Sequence, residues 1–371
     1  MISSTHQHWM SEALREARKG RYSTDPNPRV GCVVVAADRL VASGWHEFSG
    51  GPHAEVNAIE SAQIPPGADF YVTLEPCSHH GRTPPCADAV IAQKPARVIV
   101  AMQDPNPQVA GRGLEQLRAA GIEVIESVLE SEARALNRGF IKRMQQGMPF
   151  VSIKTAVSLD GRSALKNGIS QWITGMEARR DVQFLRAQSS AILSSAQTVI
   201  DDNPRLDVRL SKQDLKQSVE VRQPLRVIVD SQLRLSGSEK LFSIEGGICV
   251  YTLSDDEESI SRLQAAGAEV KRLQESVAGH ICLTTMMRDL AARGVNEVHT
   301  ECGQTLAGQL INQGLVDQVV MYLAPHLLGS QARGMFDLGE LDDMQQRKNC
   351  SINDIRFVGA DLRLRFNFEE D

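Results

Sequence analysis

The sequence predicts an α/β fold in two parts, on three observations. Segments with helical and strand-like periodicity alternate from His8 to Ser127. Gly147 and Pro149 then interrupt the pattern, and the alternation resumes at Phe150. The chain is 371 residues long, which suits two folding units.

In chain order, "HWMSEALREARKG" has helical spacing and a glycine stop at Gly20. "RVGCVVVAA" and "LVASG" read as a strand pair turning at Asp38. "AEVNAIESAQ" is helical, "DFYVTL" is a buried strand, and "PPCADAVIAQ" opens on prolines suited to a helix N-terminus. The strand "RVIVAM", the helix "GLEQLRAAG" and the strand "IEVIES" follow, a succession that implies a layered sheet. "LESEARALNRGFIKRMQQ" reads as one closing helix before the break, which sets domains at 1–147 and 148–371. The second part begins with the strand "FVSIKTAVS" and continues with "SAILS", "LRVIVD", "GICVYT", "AEVKRL", "EVHTEC" and "QVVMYLAP". Two further β-like runs near Ile352 and Leu362 close it.

Composition narrows the function. A net charge of −6 with 5% aromatic residues argues against a nucleic-acid binder with a broad basic surface, while leaving room for a local phosphate pocket. The N-terminus lacks the charged and apolar regions of a signal peptide. "VGCVVVAA" is too short to span a bilayer. Seven cysteines scattered among apolar residues read as reduced thiols, so a cytoplasmic location without membrane or nucleic-acid partners is expected.

Two cysteines stand apart from the rest. Cys77 and Cys86 both follow proline and bracket a polar loop, and His53 and Glu55 form a His-x-Glu at a helix start. Catalytic zinc takes three nitrogen and sulfur ligands and keeps its fourth position for water. His53, Cys77 and Cys86 supply the ligands, and Glu55 is left to shuttle protons, the set that hydrolytic deamination of an aminopyrimidine requires. His-x-Glu alone carries little weight. In the bland reading the cysteines are core thiols and Glu55 a solvated first-turn acid; a purely structural zinc would use His79 or His80 as fourth ligand and have no need of Glu55.

The second part holds no G-x-G-x-x-G after a strand, and no Walker A motif. The turn in "EVHTECGQTLAGQL", from Glu301 through Gly303 into a helix, is the best candidate for a dinucleotide phosphate.

The motifs "NPRVG", "GGPHAEVNAI", "TLEPCSHHGRTPPC" and "DPNPQVAGRGLEQLRAAGIEV" together resemble the bifunctional deaminase/reductase family of bacterial riboflavin biosynthesis. So do "KTAVSLDGR", "GISQWITG", "LRAQSSAILSSAQTVIDDNPRLDVR" and "ECGQTL" in the second part. The resemblance covers essentially the whole chain. It implies a cytidine-deaminase-like three-layer domain and a dihydrofolate-reductase-like domain, with one Zn2+ per chain in the first and NADPH in the second. The loop between the two zinc ligands becomes a substrate-reading insertion. Asn27, His46, His79, Arg82, Asp104 and Asn106 are implied contacts of a pyrimidine ribonucleotide-like substrate, although Asn27, Asp104 and Asn106 also suit plain turns. Ala156, Trp172, Thr198, Asp202, Ser231 and the turn Gly303, Gln304, Thr305, Leu306 and Ala307 are implied along the cofactor. Ser170, Arg186, Leu206, Arg209 and Glu301 are implied on the reductase substrate. A homo-oligomer is expected. The alternatives are a nucleic-acid deaminase with an appended domain, which an acidic, aromatic-poor chain disfavours, and a structural zinc module, which Glu55 disfavours.

Overall fold

A computed structural model describes residues 3–78, 85–107, 110–275 and 279–369. The chain divides into two compact units, Met1–Gly147 with Lys212–Val221, and Met148–Ser211 with Arg222–Asp371. The segment Lys212–Val221, given to the second domain on sequence grounds, therefore groups with the first unit.

The first unit contains α1 (Ser4–Lys19), β1 (Gly31–Ala36), β2 (Arg39–Trp45), α2 (Ala54–Ser61), β3 (Asp69–Val72), α3 (Cys86–Ala92), β4 (Arg97–Val100), α4 (Arg112–Ala119), β5 (Glu123–Ile125), α5 (Glu130–Leu136) and α6 (Arg138–Gln146). α1 starts where Ser3 accepts a hydrogen bond from the His6 amide, and it buries Met10, Ala13, Leu14 and Ala17, one stripe at helical spacing. Among the described residues the strands form a five-stranded sheet in the order β2-β1-β3-β4-β5. β1 is antiparallel to β2 and β3, while β3, β4 and β5 run parallel. Alternation along the strands sends Val33, Val35, Tyr71 and Ile99 toward α1, α5 and α6, and Cys32, Val34, Phe70, Val72, Val98 and Val100 toward α2, α3 and α4. Three layers result.

The single closing helix expected from sequence is broken at Asn137. That buried side chain accepts from the Arg29 amide (2.7 Å) and donates to the Arg29 carbonyl (3.0 Å), so it takes both backbone groups of the residue leading into β1. A local side-chain pattern could not reveal a partner more than a hundred residues away.

The remaining elements are β6 (Phe150–Ser158), β7 (Arg162–Ala164), α7 (Met176–Gln188), β8 (Ala191–Ser195), α8 (Ala196–Asp202), α9 (Lys212–Leu215, in the first unit), β9 (Leu225–Val229), β10 (Ile248–Thr252), α10 (Glu257–Ala265), β11 (Ala268–Arg272), α11 (Leu283–Ala292), β12 (Glu297–Thr300), α12 (Gln304–Asn312), β13 (Gln318–Ala324), β14 (Arg333–Gly334), β15 (Cys350–Val358) and β16 (Asp361–Phe368). The second unit's main sheet, among the described residues, has nine strands in the order β11-β10-β9-β8-β12-β6-β13-β16-β15. The first seven are mutually parallel, and the C-terminal β15–β16 hairpin adds antiparallel to β13. α11 and α12 cover one face through Met286, Met287, Leu290 and Leu310. α8 and α10 cover the other through Val199 and Leu263, and α7 packs on Val320 and Tyr322. A parallel sheet covered on both faces explains why its strands read as continuous apolar runs.

Candidate active sites

The first site is assembled at the start of α2. His53 is its N-cap in extended conformation, and Glu55 falls in the first turn. α2 can sit this close to β2 because Gly44 lies beneath it: a Cβ there would come 2.4 Å from the Ala58 amide nitrogen. β3 delivers Cys77 past its carboxyl end, and Cys86 opens α3 behind Pro85. His53 Nδ1 lies 3.1 Å from Cys86 Sγ and 3.6 Å from Cys77 Sγ, with all three donor atoms within 4.8 Å of one another. Tetrahedral zinc with ordinary Zn–S and Zn–N lengths separates such ligands by about 3.6 Å. Among the described residues the donor set fits zinc with three protein ligands.

Electrostatics agree with that fit. The neighbouring Cys86 thiol, with His53 also contributing, pulls Cys77 down to about 4, whereas Cys86 is pushed up. Glu55 is 3% exposed, and burial pushes its carboxyl up to about 7 against the pull of His53. It interacts with Cys86 at the edge of the donor set.

The structure brings Asn27 and His46 to this centre. His46 Nδ1 donates to the Pro52 carbonyl (2.9 Å), which leaves Nε2 to accept from Asn27 Nδ2 (3.1 Å). Burial lowers the His46 pKa and favours this neutral form. Its ring meets that of His53 edge-on at 5.5 Å. Asp104 and Asn106 lie past the carboxyl end of β4, with the Asn106 amide donating to Asp104 Oδ1 (2.8 Å). His79 and Arg82 lie outside the described residues.

The second site follows the carboxyl edge of four adjacent parallel strands, β9, β8, β12 and β6, where open α/β sheets bind ligands. Ser231 comes just after β9, Thr198 and Asp202 are on α8 directly after β8, the Gly303–Ala307 turn follows β12, and Ala156 is near the end of β6. Ser170 Oγ donates to Asp202 Oδ1 (3.1 Å), so a residue expected on the substrate and one expected on the cofactor touch. Leu306 and Ala307 are buried in the apolar core, and Leu206 is 2% exposed beside Ile192 and Ile228. Any contact from these three to a ligand goes through backbone. Trp172 is 69% exposed with Arg179 stacked 4.5 Å from its ring centroid, so it is no core aromatic.

Arg186 is buried, not a solvated helix residue. Its guanidinium donates to both Glu301 oxygens (2.6 and 2.9 Å) and to the Asp207 carbonyl (2.9 Å). Burial opposes ionisation of Glu301, yet Arg186 and His299 hold its carboxyl well below the usual range. Arg209 is half-exposed and donates to Asp207 Oδ1 (2.8 Å).

Two residues escaped the sequence reading. Burial lowers the pKa of Lys154, on β6, and the charges of Glu301, Arg186 and Asp202 act on it. Its signal was a lysine inside the apolar run "FVSIKTAVS". Glu75, in "TLEPC", is 3% exposed; its signal was an acid between a buried strand and a zinc ligand.

Residues 149–363 match the family described as RibD C-terminal domain, and residues 3–102 match the cytidine and deoxycytidylate deaminase zinc-binding region. The riboflavin biosynthesis protein RibD of Escherichia coli K12 is 46% identical over 96% of this chain and 98% of its own length. That of Haemophilus influenzae is 44% identical over 98% of each. Among solved structures, RibD of Acinetobacter baumannii (form 1) superposes with a TM-score of 0.90 at 40% identity over 99% of both chains. The Thermotoga maritima diaminohydroxyphosphoribosylaminopyrimidine deaminase/5-amino-6-(5-phosphoribosylamino)uracil reductase gives 0.85 at 34% identity over 98% of this chain and 99% of its own.

Proposed function

We propose, on the premise that this chain belongs to the bifunctional deaminase/reductase family of riboflavin biosynthesis, that His53, Cys77 and Cys86 hold one zinc ion per chain and that Glu55 carries the protons of the deamination. The chain is a two-step enzyme of that pathway. It hydrolytically deaminates 2,5-diamino-6-ribosylamino-4(3H)-pyrimidinone 5′-phosphate, then reduces the ribosyl side chain of the product to a ribityl chain. The observation that carries the residue assignment is the His53–Cys77–Cys86 donor set with buried Glu55, outside that set, beside it.

Zinc, when bound, supplies an activated water as nucleophile. Glu55 takes up a proton as the C–O bond forms and returns one to the departing amine, so that ammonia leaves as the C–N bond breaks. Neutral His46, fixed through Asn27 and Pro52, presents a steady wall beside His53. Cys77→Ser and Cys86→Ser are each expected to lose zinc together with deaminase activity, because each removes one of three metal ligands. Elemental analysis of the purified variants checks this; full zinc occupancy in either would reject the ligand set.

NADPH is the proposed cofactor of the second site. The nicotinamide, when bound, supplies the hydride. Ala156, Trp172, Thr198, Asp202, Ser231 and the Gly303–Ala307 backbone are read along it, with Ser170, Arg186, Leu206, Arg209 and Glu301 on the substrate side. Support for this reading is that Ser231, Thr198, Asp202, the Gly303–Ala307 turn, Ala156 and Glu301 sit at or near the carboxyl ends of four adjacent strands, with Glu301 held ionised there by Arg186. Arg186 is occupied by Glu301, so the half-exposed Arg209 is the better placed of the two arginines to grip a phosphate. Arg209→Lys loses paired guanidinium geometry. It is expected to weaken nucleotide-substrate binding by roughly 1.5–3 kcal/mol, about ten- to a hundredfold, with NADPH binding little changed. Separate calorimetric titrations decide; a loss confined to NADPH would move Arg209 to the cofactor side.

A cytoplasmic homo-oligomer completes the reading, supported by seven unpaired thiols and by apolar Ile352, Ile355 and Phe357 exposed on the edge strand β15. Among the described residues, no helix is long and apolar enough to cross a membrane. The decisive assay is purified protein with the diaminopyrimidine nucleotide, with and without NADPH, followed by ammonia release and loss of the nicotinamide absorbance near about 340 nm. Ammonia without NADPH, and absorbance loss only after deamination, is the expected pattern.

A further inference from the structure

We infer that Glu75 is a positioning residue of the deaminase site, a carboxylate that sets the turn bearing Asp104 and Asn106 relative to the zinc ligand Cys77. This rests on the reading of Asp104 and Asn106 as substrate contacts.

Glu75 leaves the carboxyl end of β3, and its own amide donates to the Met102 carbonyl (3.0 Å), which continues the parallel β3–β4 pairing beyond the strands. Two residues later comes Cys77. The Glu75 side chain turns inward, 3% exposed, and accepts three backbone N–H groups. Oε2 takes those of Asp104 (3.1 Å) and Gly111 (2.9 Å); Oε1 takes that of Gly113 (2.8 Å). Gly111 is the N-cap of α4 and Gly113 lies in its first turn, so two of the donors belong to the helix N-terminus and the third to the Asp104 turn. One carboxylate thereby holds the two ends of the connection from β4 to α4 and ties them to the segment leading into Cys77.

The glycines show how closely this is packed. Gly111 has φ +81°, a left-handed conformation, and a Cβ on Gly113 would lie 2.0 Å from the Pro76 carbonyl oxygen. α4 therefore starts directly against the residue that precedes Cys77. The residue type at position 75 follows from the donor count. An acceptor-only group with two oxygens satisfies three N–H donors, and it complements the positive end of the α4 dipole. Glutamine would turn an NH2 group against at least one of those N–H groups, so part of the clamp must open. One of the three donors is the Asp104 amide, whose carboxylate in turn accepts from the Asn106 amide, and none is a metal ligand, so the displacement is expected at Asp104 and Asn106.

A residue that acts by placing ground-state contacts moves KM, whereas one that supports the reacting centre moves kcat. Zinc content, kcat and KM for deamination, and reductase turnover of the deaminated product are measured for the full-length Glu75→Gln protein. Asp104→Ala, Asn106→Ala and the Glu75→Gln/Asp104→Ala pair are measured beside it. The expected result is wild-type zinc, unchanged reductase turnover, kcat within about threefold, and a KM raised about tenfold or more. The double variant should show a KM no more than about twofold above the worse single variant, because both changes act on one element. Glu75→Asp keeps the charge but shortens the arm by one methylene; it is expected to raise KM in the same direction and decides the matter if the glutamine variant does not fold. Zinc loss in Glu75→Gln would make Glu75 a support of Cys77 and overturn the inference. So would an unchanged KM in Glu75→Gln while Asp104→Ala or Asn106→Ala raises it. If neither of those alanine variants raises KM, the assignment of this turn to the substrate fails first, and the inference falls with it.

Discussion

Glu55→Gln is expected to retain wild-type zinc and to lower kcat for deamination by roughly a thousandfold or more, near the upper range for a general acid–base group. The substitution is close to isosteric and keeps an acceptor in a buried position, so folding and ligand geometry have no reason to change. What disappears is the exchangeable proton. With its carboxyl pushed up to about 7 by burial, Glu55 can both hold and release a proton near neutrality. Reductase turnover of the deaminated product in the same preparation should stay at the wild-type level. Ammonia release and elemental analysis are the two measurements. A variant that loses zinc would make Glu55 a ligand or its support, and one that stays active would remove it from the chemistry.

Arg186→Met is expected to destabilise the reductase unit by about 3–5 kcal/mol, the usual cost of stripping one partner from a buried ion pair. Methionine replaces much of the side chain's volume but leaves the Glu301 carboxylate without the guanidinium that now donates to both its oxygens. A loss of that size is a large share of the 5–15 kcal/mol or so that holds a typical protein folded. Combining it with Glu301→Gln should recover part of the loss, since the stranded charge goes with it. The pH dependence follows from the direction of the Glu301 shift. Its folded pKa lies well below an unfolded value of about 4.3, so the pair's contribution is complete above that pH and is lost as pH falls toward the folded pKa. The stability gap between wild type and Arg186→Met should therefore be full at neutral pH and narrow in acid. Urea unfolding at several pH values tests this. A gap that widened in acid would mean that Glu301 is not the partner that matters.

Much of the fold was legible because its signals are local. Apolar residues at helical spacing marked α1, and apolar runs bounded by glycine and proline marked β1, β3 and β4. The break at Asn137 was not legible, because its cause is a pair of hydrogen bonds to Arg29. The grouping of Lys212–Val221 with the first unit was missed for the same reason: chain order says nothing of which unit a surface segment packs on.

The sequence by itself determined the chemistry of the first site. Histidine, two cysteines and a nearby glutamate are residue types whose donor atoms limit what they can bind, and the proline-flanked loop set the cysteines apart from the five scattered thiols. It also determined the order along the chain of the five strands of the first sheet and the nine of the second, since periodicity is written in adjacent residues. Only the tertiary structure decided how each polar side chain is used. The motifs placed Arg186 on the reductase substrate, but only the fold showed that Glu301, 115 positions later, occupies its guanidinium. Glu75 drew no reading from the sequence, and its use came from the convergence of backbone groups of Asp104, Gly111 and Gly113 on it. The physical reason is common to both. A buried charge must find partners or remain unformed, and those partners are brought near by the packing of distant elements, which no local pattern encodes.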